Sequence, residues 1–186
     1  VNKNKGDRMK ILSKVASAMI LSTGLLMASS YSVDNAHSNV GFTVKHMMVT
    51  NVHGKFTSYD AKVEFDDATK TFKKLVANID TNSIDTGIEK RDNHLRSDDF
   101  FAVEKFPKMT FEMTSYKADG DDGKMTGNLT IRGITKPVVL EVEDIAIEGK
   151  INRQDFDLKW NKAIELGGVA VSDEVKIKVD IEAKKQ

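Results

Sequence analysis

Strict alternation of apolar and polar residues is the feature of this sequence that most constrains its fold. The stretch EVKIKVDIEA places Val175, Ile177, Val179 and Ile181 on one side and charged residues between them. A period of two is the pattern of a β-strand with one buried and one solvated face. The same pattern predicts buried faces in five further stretches: Val40, Phe42 and Val44; Ala61, Val63 and Phe65; Leu75, Ala77 and Ile79; Met109, Phe111 and Met113; and Met125, Leu129 and Ile131.

The number and spacing of these stretches predict an all-β fold. Together with VTNVHGKF, PVVLEVEDIAI and KINRQDFDLKW they give eight or nine candidate strands, mostly joined by short polar turns such as DGDDG. Consecutive antiparallel strands without repeated helical crossovers favour a meander that closes on itself. We therefore predict an eight-stranded antiparallel β-barrel, whose interior can hold side chains or one small ligand. A β-sandwich is the alternative.

One short helix is expected to interrupt the strands, at TGIEKRDNHLRSDDFF, residues 86–101. Thr86 and Glu89 have the spacing of a capping box, which predicts that the helix begins there. Leu95 and Phe100 lie on what we expect to be the side facing the barrel interior, with the charged residues facing water.

Residues 1–30 differ in kind from the rest of the chain. A basic segment, the uncharged apolar run VASAMILSTGLLMA and the small residues Ala28, Ser29 and Ser30 follow in the order of a secretory signal peptide. The apolar run is short for a transmembrane helix. We predict a signal peptide over 1–30, a mature domain over 31–186 and a periplasmic location.

The charge balance and composition of residues 31–186 exclude several classes of protein. Removing residues 1–30 takes away five of 28 basic and one of 28 acidic side chains, which leaves a net charge of −4. Such a domain lacks the basic surface of nucleic-acid-binding proteins. It has no cysteine for disulfides and no apolar run that suggests stable membrane insertion.

No motif in the sequence indicates catalysis. The chain has no cysteine nucleophile, no G-x-S-x-G, no phosphate-binding loop and no dinucleotide fingerprint. Its four histidines, His37, His46, His53 and His94, do not have the spacing of a zinc site. We therefore predict a protein that is not an enzyme and that needs neither a metal nor a cofactor.

Several longer blocks resemble a known family. Six blocks occur in the following order: YSVDNAHSNVGFTVKH, VHGKF, NSIDTGIEKRDNHLRSDDFF, EKFPKMTFEMTS, GNLTIRGITKPVVLEV and INRQDFDL. Together they closely resemble the YceI-like family of exported polyisoprenoid-binding proteins, from about Tyr31 to Ala183. The resemblance implies a lipocalin-like barrel with an inserted helix and an apolar tunnel for a long isoprenoid or fatty chain. One departure is Asp157, where the family usually has glycine, which puts the local turn in doubt.

The strand pattern and the resemblance together give two sets of candidate ligand-binding residues. For the polar head group of the ligand they are His37, His46, Arg91, His94 and Arg153, because arginine suits phosphate or carboxylate and histidine can donate to a carbonyl. The alternative for Arg91 and Arg153 is pairing with Asp92 or Asp155. For the apolar tunnel, with ordinary core packing as the alternative, they are Phe42, Val44, Phe56, Ile79, Phe100, Phe101, Phe111, Leu129, Ile131 and Trp160.

The leading hypothesis is an exported binding protein that sequesters or carries a long-chain amphiphilic lipid, either an isoprenoid of the polyprenyl or quinone type or a fatty acid or amide. One alternative is a ligand-free envelope stress or interaction module with a solidly packed barrel. The other is a metal-dependent hydrolase that acts on lipids, which requires at least two histidines and a carboxylate to converge. The resemblance also implies that homodimers occur.

Overall fold

Twelve strands and one helix make up the part of the chain that the computed structural model describes, residues 29–47, 49–143, 146–162 and 170–185. Two 3₁₀ turns, Thr81–Ser83 and Arg153–Phe156, join strands, and the helix α1 spans Glu89–Arg96. No helix in these ranges is both long and apolar enough to cross a bilayer. The strands are β1 (Ser29–Val33), β2 (Asn39–His46), β3 (Thr50–Phe56), β4 (Tyr59–Asp66), β5 (Thr71–Asp80), β6 (Ile84–Asp85), β7 (Lys108–Asp119), β8 (Asp122–Ile131), β9 (Ile134–Glu143), β10 (Ala146–Asn152), β11 (Val171–Asp180) and β12 (Ala183–Lys185).

All twelve strands belong to one antiparallel sheet that curls round on itself. The strand order is β12-β1-β4-β5-β7-β8-β9-β10-β11-β2-β3-β6. Residues 171–185 form one continuous segment, in which β11 pairs with β10 and β2 while β12 pairs with β1. Because β1 also pairs with β4, this segment links two distant parts of the strand order and closes the sheet into a barrel. The predicted all-β, lipocalin-like antiparallel barrel with one inserted helix is confirmed.

The predicted number of eight strands is too low, and the reason is that three long strands are interrupted. β1 and β2 are separated by residues 34–38, β3 and β4 by residues 57–58, and β11 and β12 by residues 181–182. If each pair is counted as one strand, eight strands form the barrel, and the two-residue β6 adds a ninth that pairs only with β3. The candidate stretches in the sequence already separate β3 from β4, but they omit β1, β6 and β12, because strands of five, two and three residues are too short to show a clear alternation.

The inward faces follow the predicted alternation closely. Val40 pairs with Phe56 on one side and with Val179 on the other, and Ala77 pairs with Ala61 and Phe111. Apart from Ala61, these inward positions belong to a single apolar cluster that also contains Leu75, Met125, Leu140 and Ile147. Burial of this cluster is the main favourable contribution to folding, at about 25 cal/mol per Å² of apolar surface.

The helix α1 begins later than the capping box predicted. Its N-cap residue is Ile88, which makes no side-chain capping bond. Thr86 instead donates from its backbone N–H and its hydroxyl to Oδ1 of the buried Asp92, which lies one turn further along than Glu89. The helix start predicted from the capping box is wrong because the chain turns at Gly87, which has a positive φ (+77°), between Thr86 and the helix. The Ser97 side chain, at the other end of the helix, donates to the His94 carbonyl.

The stretch KINRQDFDLKW is not one strand, because a 3₁₀ turn follows β10. The Asn152 side chain accepts a hydrogen bond from the Gln154 N–H at 2.9 Å, which caps the turn, and Asp157 ends it with φ +60°. The left-handed conformation is one that glycine adopts without the steric cost of a Cβ atom. This conformation explains physically why a glycine suits the position of Asp157.

The predicted signal peptide falls almost entirely outside the described residues. Only Ser29 and Ser30 of the segment are described, and they begin β1, opposite Phe65 and Glu64 of β4. The signal peptide, its cleavage after Ser30 and the domain boundary stay predictions.

Candidate ligand-binding cavity

The barrel interior contains a partly open apolar cavity of about 210 Å³. A volume of roughly 10–15 Å³ already admits one water molecule, so this space is far larger than a packing defect. Nine of the ten residues predicted to line a tunnel do line it: Phe42, Val44, Phe56, Ile79, Phe100, Phe101, Phe111, Leu129 and Ile131. Their contact with a ligand stays a prediction.

Trp160, the tenth, is not part of the lining. Its ring packs against the rings of His94 and Phe100, with centroids 5.0 and 5.3 Å away. Phe100 in turn lines the cavity. Trp160 therefore supports the wall from behind, in a layer that joins the segment after β10 to α1.

Inward-facing glycines help to explain why the barrel is hollow. A Cβ atom on Gly127 would lie 2.3 Å from the Phe111 ring, and one on Gly54 would lie 2.3 Å from the Phe42 ring. Each ring therefore lies over a glycine of the neighbouring strand, close to the wall. Side chains that lie along the wall do not reach the barrel axis, and space remains there. The small residues Ala61 and Ala77, which also line the cavity, have the same effect.

Helix α1 and the loop after it contribute to the cavity wall. Leu95, Phe100 and Phe101 line the cavity, as the predicted inward side of the helix requires. The Arg132 guanidinium fixes this loop by donating to the carbonyls of Asp98 and Phe100. Arg132 and Gly133 both have positive φ values (51° and 73°), as in a tight two-residue hairpin turn between β8 and β9. The turn thereby aims the arginine at the loop after the helix.

Arg153 is the only one of the five predicted head-group residues that lines the cavity, and it is 3% exposed. Its Nε donates to the Ser172 carbonyl at 2.9 Å. Its Nη1 donates to the carbonyls of Leu158 and Trp160, and its Nη2 to the Val171 carbonyl and the Asp173 carboxylate. Burial lowers the pKa of Arg153 from its ordinary value, and the nearby Asp173 opposes this change. The partner of Arg153 is therefore Asp173, where the sequence suggested Asp155.

The other four predicted head-group residues do not line the cavity, and only Arg91 and His94 share an element, the helix α1. Arg91 donates to the hydroxyl and the carbonyl of Thr86 and so fixes the start of α1. His94 pairs with Asp99 at 2.9 Å, and the exposed His46 ends β2. The structure does not gather these residues into one polar site, so their contact with a ligand stays a prediction that the geometry does not favour.

His37 belongs to an exposed ionic cluster on the loop between β1 and β2. Its Nδ1 lies 3.0 Å from the Asp34 carboxylate, and the Lys184 Nζ lies 2.6 Å from the same carboxylate. The hydrogen bond to Asp34 raises the pKa of His37, while Lys184 and His37 lower the pKa of Asp34. Asp34, His37 and Glu182 are close enough to share a metal ion, but the Lys184 ammonium already pairs with the Asp34 carboxylate.

Sequence reasoning placed most of the remaining lining residues on buried faces but did not single them out. Val40, Leu75, Met109, Met125, Ile177 and Val179 all line the cavity and all belong to predicted inward sets. The signal was present, because every inward position of a hollow barrel contacts its interior. The lining contributed by Leu140, Ile147 and Leu158 was missed, because the corresponding stretches were interpreted only as strands.

Comparison with known proteins agrees with this architecture. The model of the YceI-like domain matches residues 31–183. A curated relative, "Protein YceI" of Salmonella newport, is 33% identical over 195 residues, which cover 96% of this chain and 99% of the relative. Among solved structures, a Campylobacter jejuni YCEI protein is 38% identical with a TM-score of 0.65, over 84% of this chain and 97% of that one.

Two further solved structures share the fold. Burkholderia cenocepacia BcnA is 26% identical with a TM-score of 0.68, over 80% of this chain and 98% of that one. A polyisoprenoid binding domain from Saccharophagus degradans is 17% identical with a TM-score of 0.60, over 86% and 99% of the two chains. The domain match and the curated relative establish the family: this chain belongs to the YceI-like family.

Proposed function

We propose that this protein is an exported binding protein that holds the hydrocarbon chain of a long amphiphilic lipid, isoprenoid or fatty, inside its barrel. The observation that carries the proposal is the cavity of about 210 Å³ with its apolar lining. An apolar interior of this size is costly to leave empty, because the side chains around a void lose dispersion contacts. A hydrocarbon chain restores those contacts without needing hydrogen bonds. Membership of the YceI-like family, and the fold shared with a polyisoprenoid binding domain, support a lipid as the ligand.

Export is supported by the character of residues 1–30. The alignment with the curated relative covers 96% of this chain and therefore extends into the residues before Tyr31. A basic segment, an apolar run and small residues in this order favour secretion into the periplasm. In that compartment a protein with an apolar cavity inside its barrel can shield a lipid chain from water while the lipid is carried or stored.

The two other hypotheses find less support. A ligand-free interaction module with a solid barrel requires side chains that meet at the axis, and the cavity lies there instead. A metal-dependent hydrolase requires two histidines and a carboxylate at one point. Among the described residues, the only group with metal-ligand spacing holds one histidine, His37.

The proposal is tested by filling the cavity. Ala61 lines the cavity, and the next residue on β4, Lys62, is exposed on the outer face. Ala61→Phe adds a phenyl ring to the interior, while Lys62→Phe adds one outside. We expect the delipidated protein to bind the fluorescent fatty acid cis-parinaric acid, Ala61→Phe to weaken that binding by about tenfold or more, and Lys62→Phe to leave it unchanged.

Circular dichroism and urea unfolding establish that both variants are folded. Equal affinity of the two folded variants for cis-parinaric acid would place binding outside the cavity and contradict the proposal. Absence of binding by the unmodified protein would contradict it as well.

A further inference from the structure

Almost no polar group reaches the cavity from the described part of the chain. The lining residues there that carry a polar side chain are Ser38, Tyr59, Asp60, Arg153 and Asp180. Each of them either uses its polar atoms within the protein or points them away from the interior. What remains at the wall is hydrocarbon.

The Arg153 guanidinium has no donor left for a ligand. An arginine side chain carries five N–H groups. They donate to four backbone carbonyls, those of Leu158, Trp160, Val171 and Ser172, and to the Asp173 carboxylate. A ligand head group could bind this arginine only by displacing one of these acceptors. The arginine therefore forms part of the cavity wall and offers no free N–H group to a ligand inside the cavity.

Ser38 and Tyr59 are engaged with each other and with the segment between β11 and β12. The Tyr59 hydroxyl donates to the Ser38 carbonyl at 2.7 Å. The Ser38 hydroxyl donates to the Glu182 carbonyl at 3.2 Å and accepts from the Glu182 N–H at 2.9 Å. Both hydroxyl protons are therefore used inside the protein.

Asp60 and Asp180 belong to the outer face of the barrel. Asp60 lies between the inward residues Tyr59 and Ala61, and its carboxylate accepts from the Asn78 amide, its cross-strand partner, at 3.0 Å. Asp180 lies between Val179 and Ile181, which line the cavity. Because successive strand residues point to opposite faces, the two carboxylates face away from the cavity.

We infer that the barrel recognises its ligand by the hydrocarbon chain alone, so that the enclosed stretch carries no hydrogen-bonding group and the head group lies outside the cavity. This inference rests on the proposed function and specifies its ligand class. A hydroxyl in the middle of the enclosed chain would find no free donor among these groups, and the Tyr59 phenol oxygen, whose own proton is given to the Ser38 carbonyl, could accept only from a hydroxyl enclosed close to it. Since an unsatisfied buried polar group is unfavourable, such a ligand binds at least about tenfold more weakly than its unsubstituted parent. Changing the head group alters the affinity much less.

The test uses the delipidated full chain and displacement of cis-parinaric acid by two series of ligands. In the first series the chain is constant and the head varies: stearic acid, stearyl alcohol, stearamide and stearylamine. In the second series the head is constant and the chain varies: stearic acid against stearic acid with a hydroxyl in the middle of its chain. Ala61→Phe serves as the control, because loss of displacement in this variant locates the competition in the cavity.

The inference predicts head-group affinities within about threefold of one another and a loss of about tenfold or more for the mid-chain hydroxyl. Equal binding of the hydroxylated and unsubstituted chains would overturn the inference while leaving the proposed function intact. A head group that stands out by about tenfold would do the same. Failure of every ligand, including the probe, would overturn the proposed function and the inference with it.

Discussion

Replacing Arg153 with methionine is expected to destabilise the protein strongly, although the Arg153 side chain is buried and almost without contact with solvent. Arg153 is 3% exposed and bonds five acceptors. Of these, the Val171 carbonyl keeps a hydrogen bond from the Asn161 amide at 2.8 Å, and the Asp173 carboxylate is 54% exposed and can bind water. The carbonyls of Leu158, Trp160 and Ser172 lose the donor that Arg153 supplies.

The magnitude follows from these three carbonyls. Each lost hydrogen bond costs about 1–1.5 kcal/mol, so Arg153→Met is expected to lower the free energy of unfolding by about 3–5 kcal/mol. That is a large share of the roughly 5–15 kcal/mol that holds a typical domain folded. Arg153→Lys keeps the charge, but its single ammonium cannot reach carbonyls in several directions, so most of the loss remains.

Urea unfolding followed by tryptophan fluorescence is a suitable assay. Trp160 is the only tryptophan of the chain, and its own carbonyl is one of the acceptors. The exposed Lys176 on β11 provides a control, since Lys176→Met is expected to change stability by less than about 0.5 kcal/mol. A loss below about 1 kcal/mol for Arg153→Met would show that the carbonyls do not depend on the guanidinium, and it would refute the reasoning.

Three further predictions follow from local geometry. At the left-handed position of Asp157 (φ +60°), Asp157→Gly is expected to be about 1 kcal/mol more stable than Asp157→Ala in urea unfolding, because both remove the carboxylate and only alanine keeps a Cβ atom; equal stabilities would contradict this. Asp34 raises the pKa of His37, so NMR titration is expected to show a lower His37 pKa in Asp34→Asn. The stabilisation from this pair is fully present below pH 6.5 and is lost as pH rises through the raised pKa of His37. An unchanged His37 titration would refute the pairing. Gly127→Ala is expected to cost about 1–3 kcal/mol and to reduce cis-parinaric acid binding, because the new methyl group pushes the Phe111 ring towards the cavity; a neutral result in both assays would contradict the proposed packing.

Alternation in the sequence was sufficient to predict the barrel and its inward-facing residues, while the tunnel itself was implied by the family resemblance. Phe42, Phe111 and Ile131 were assigned to its lining because inward positions of a closed sheet must face its interior. The same pattern cannot distinguish a filled interior from a hollow one. That difference depends on rings that lie over glycines of the neighbouring strand, as Phe111 does over Gly127, and such pairs appear only once the strand register is known.

The structure does not bring the polar candidates together at one site, for a physical reason. Residue type indicates what Arg91 and Arg153 can bind. It does not indicate whether their N–H donors already bind acceptors within the protein. Local backbone carbonyls and Thr86 take up these donors, and they carry no recognisable sequence pattern. The same limitation affected the helix start, where Thr86 bonds Asp92 rather than forming the capping box with Glu89.

Native mass spectrometry of the protein purified from the envelope fraction of its own cells tests the central claim most directly. The account predicts a one-to-one adduct that disappears on denaturation, and solvent extraction that yields a lipid with a long unsubstituted hydrocarbon chain. A mass that matches the polypeptide alone, in protein that also fails to take up cis-parinaric acid, would contradict the claim that the cavity is a lipid-binding site.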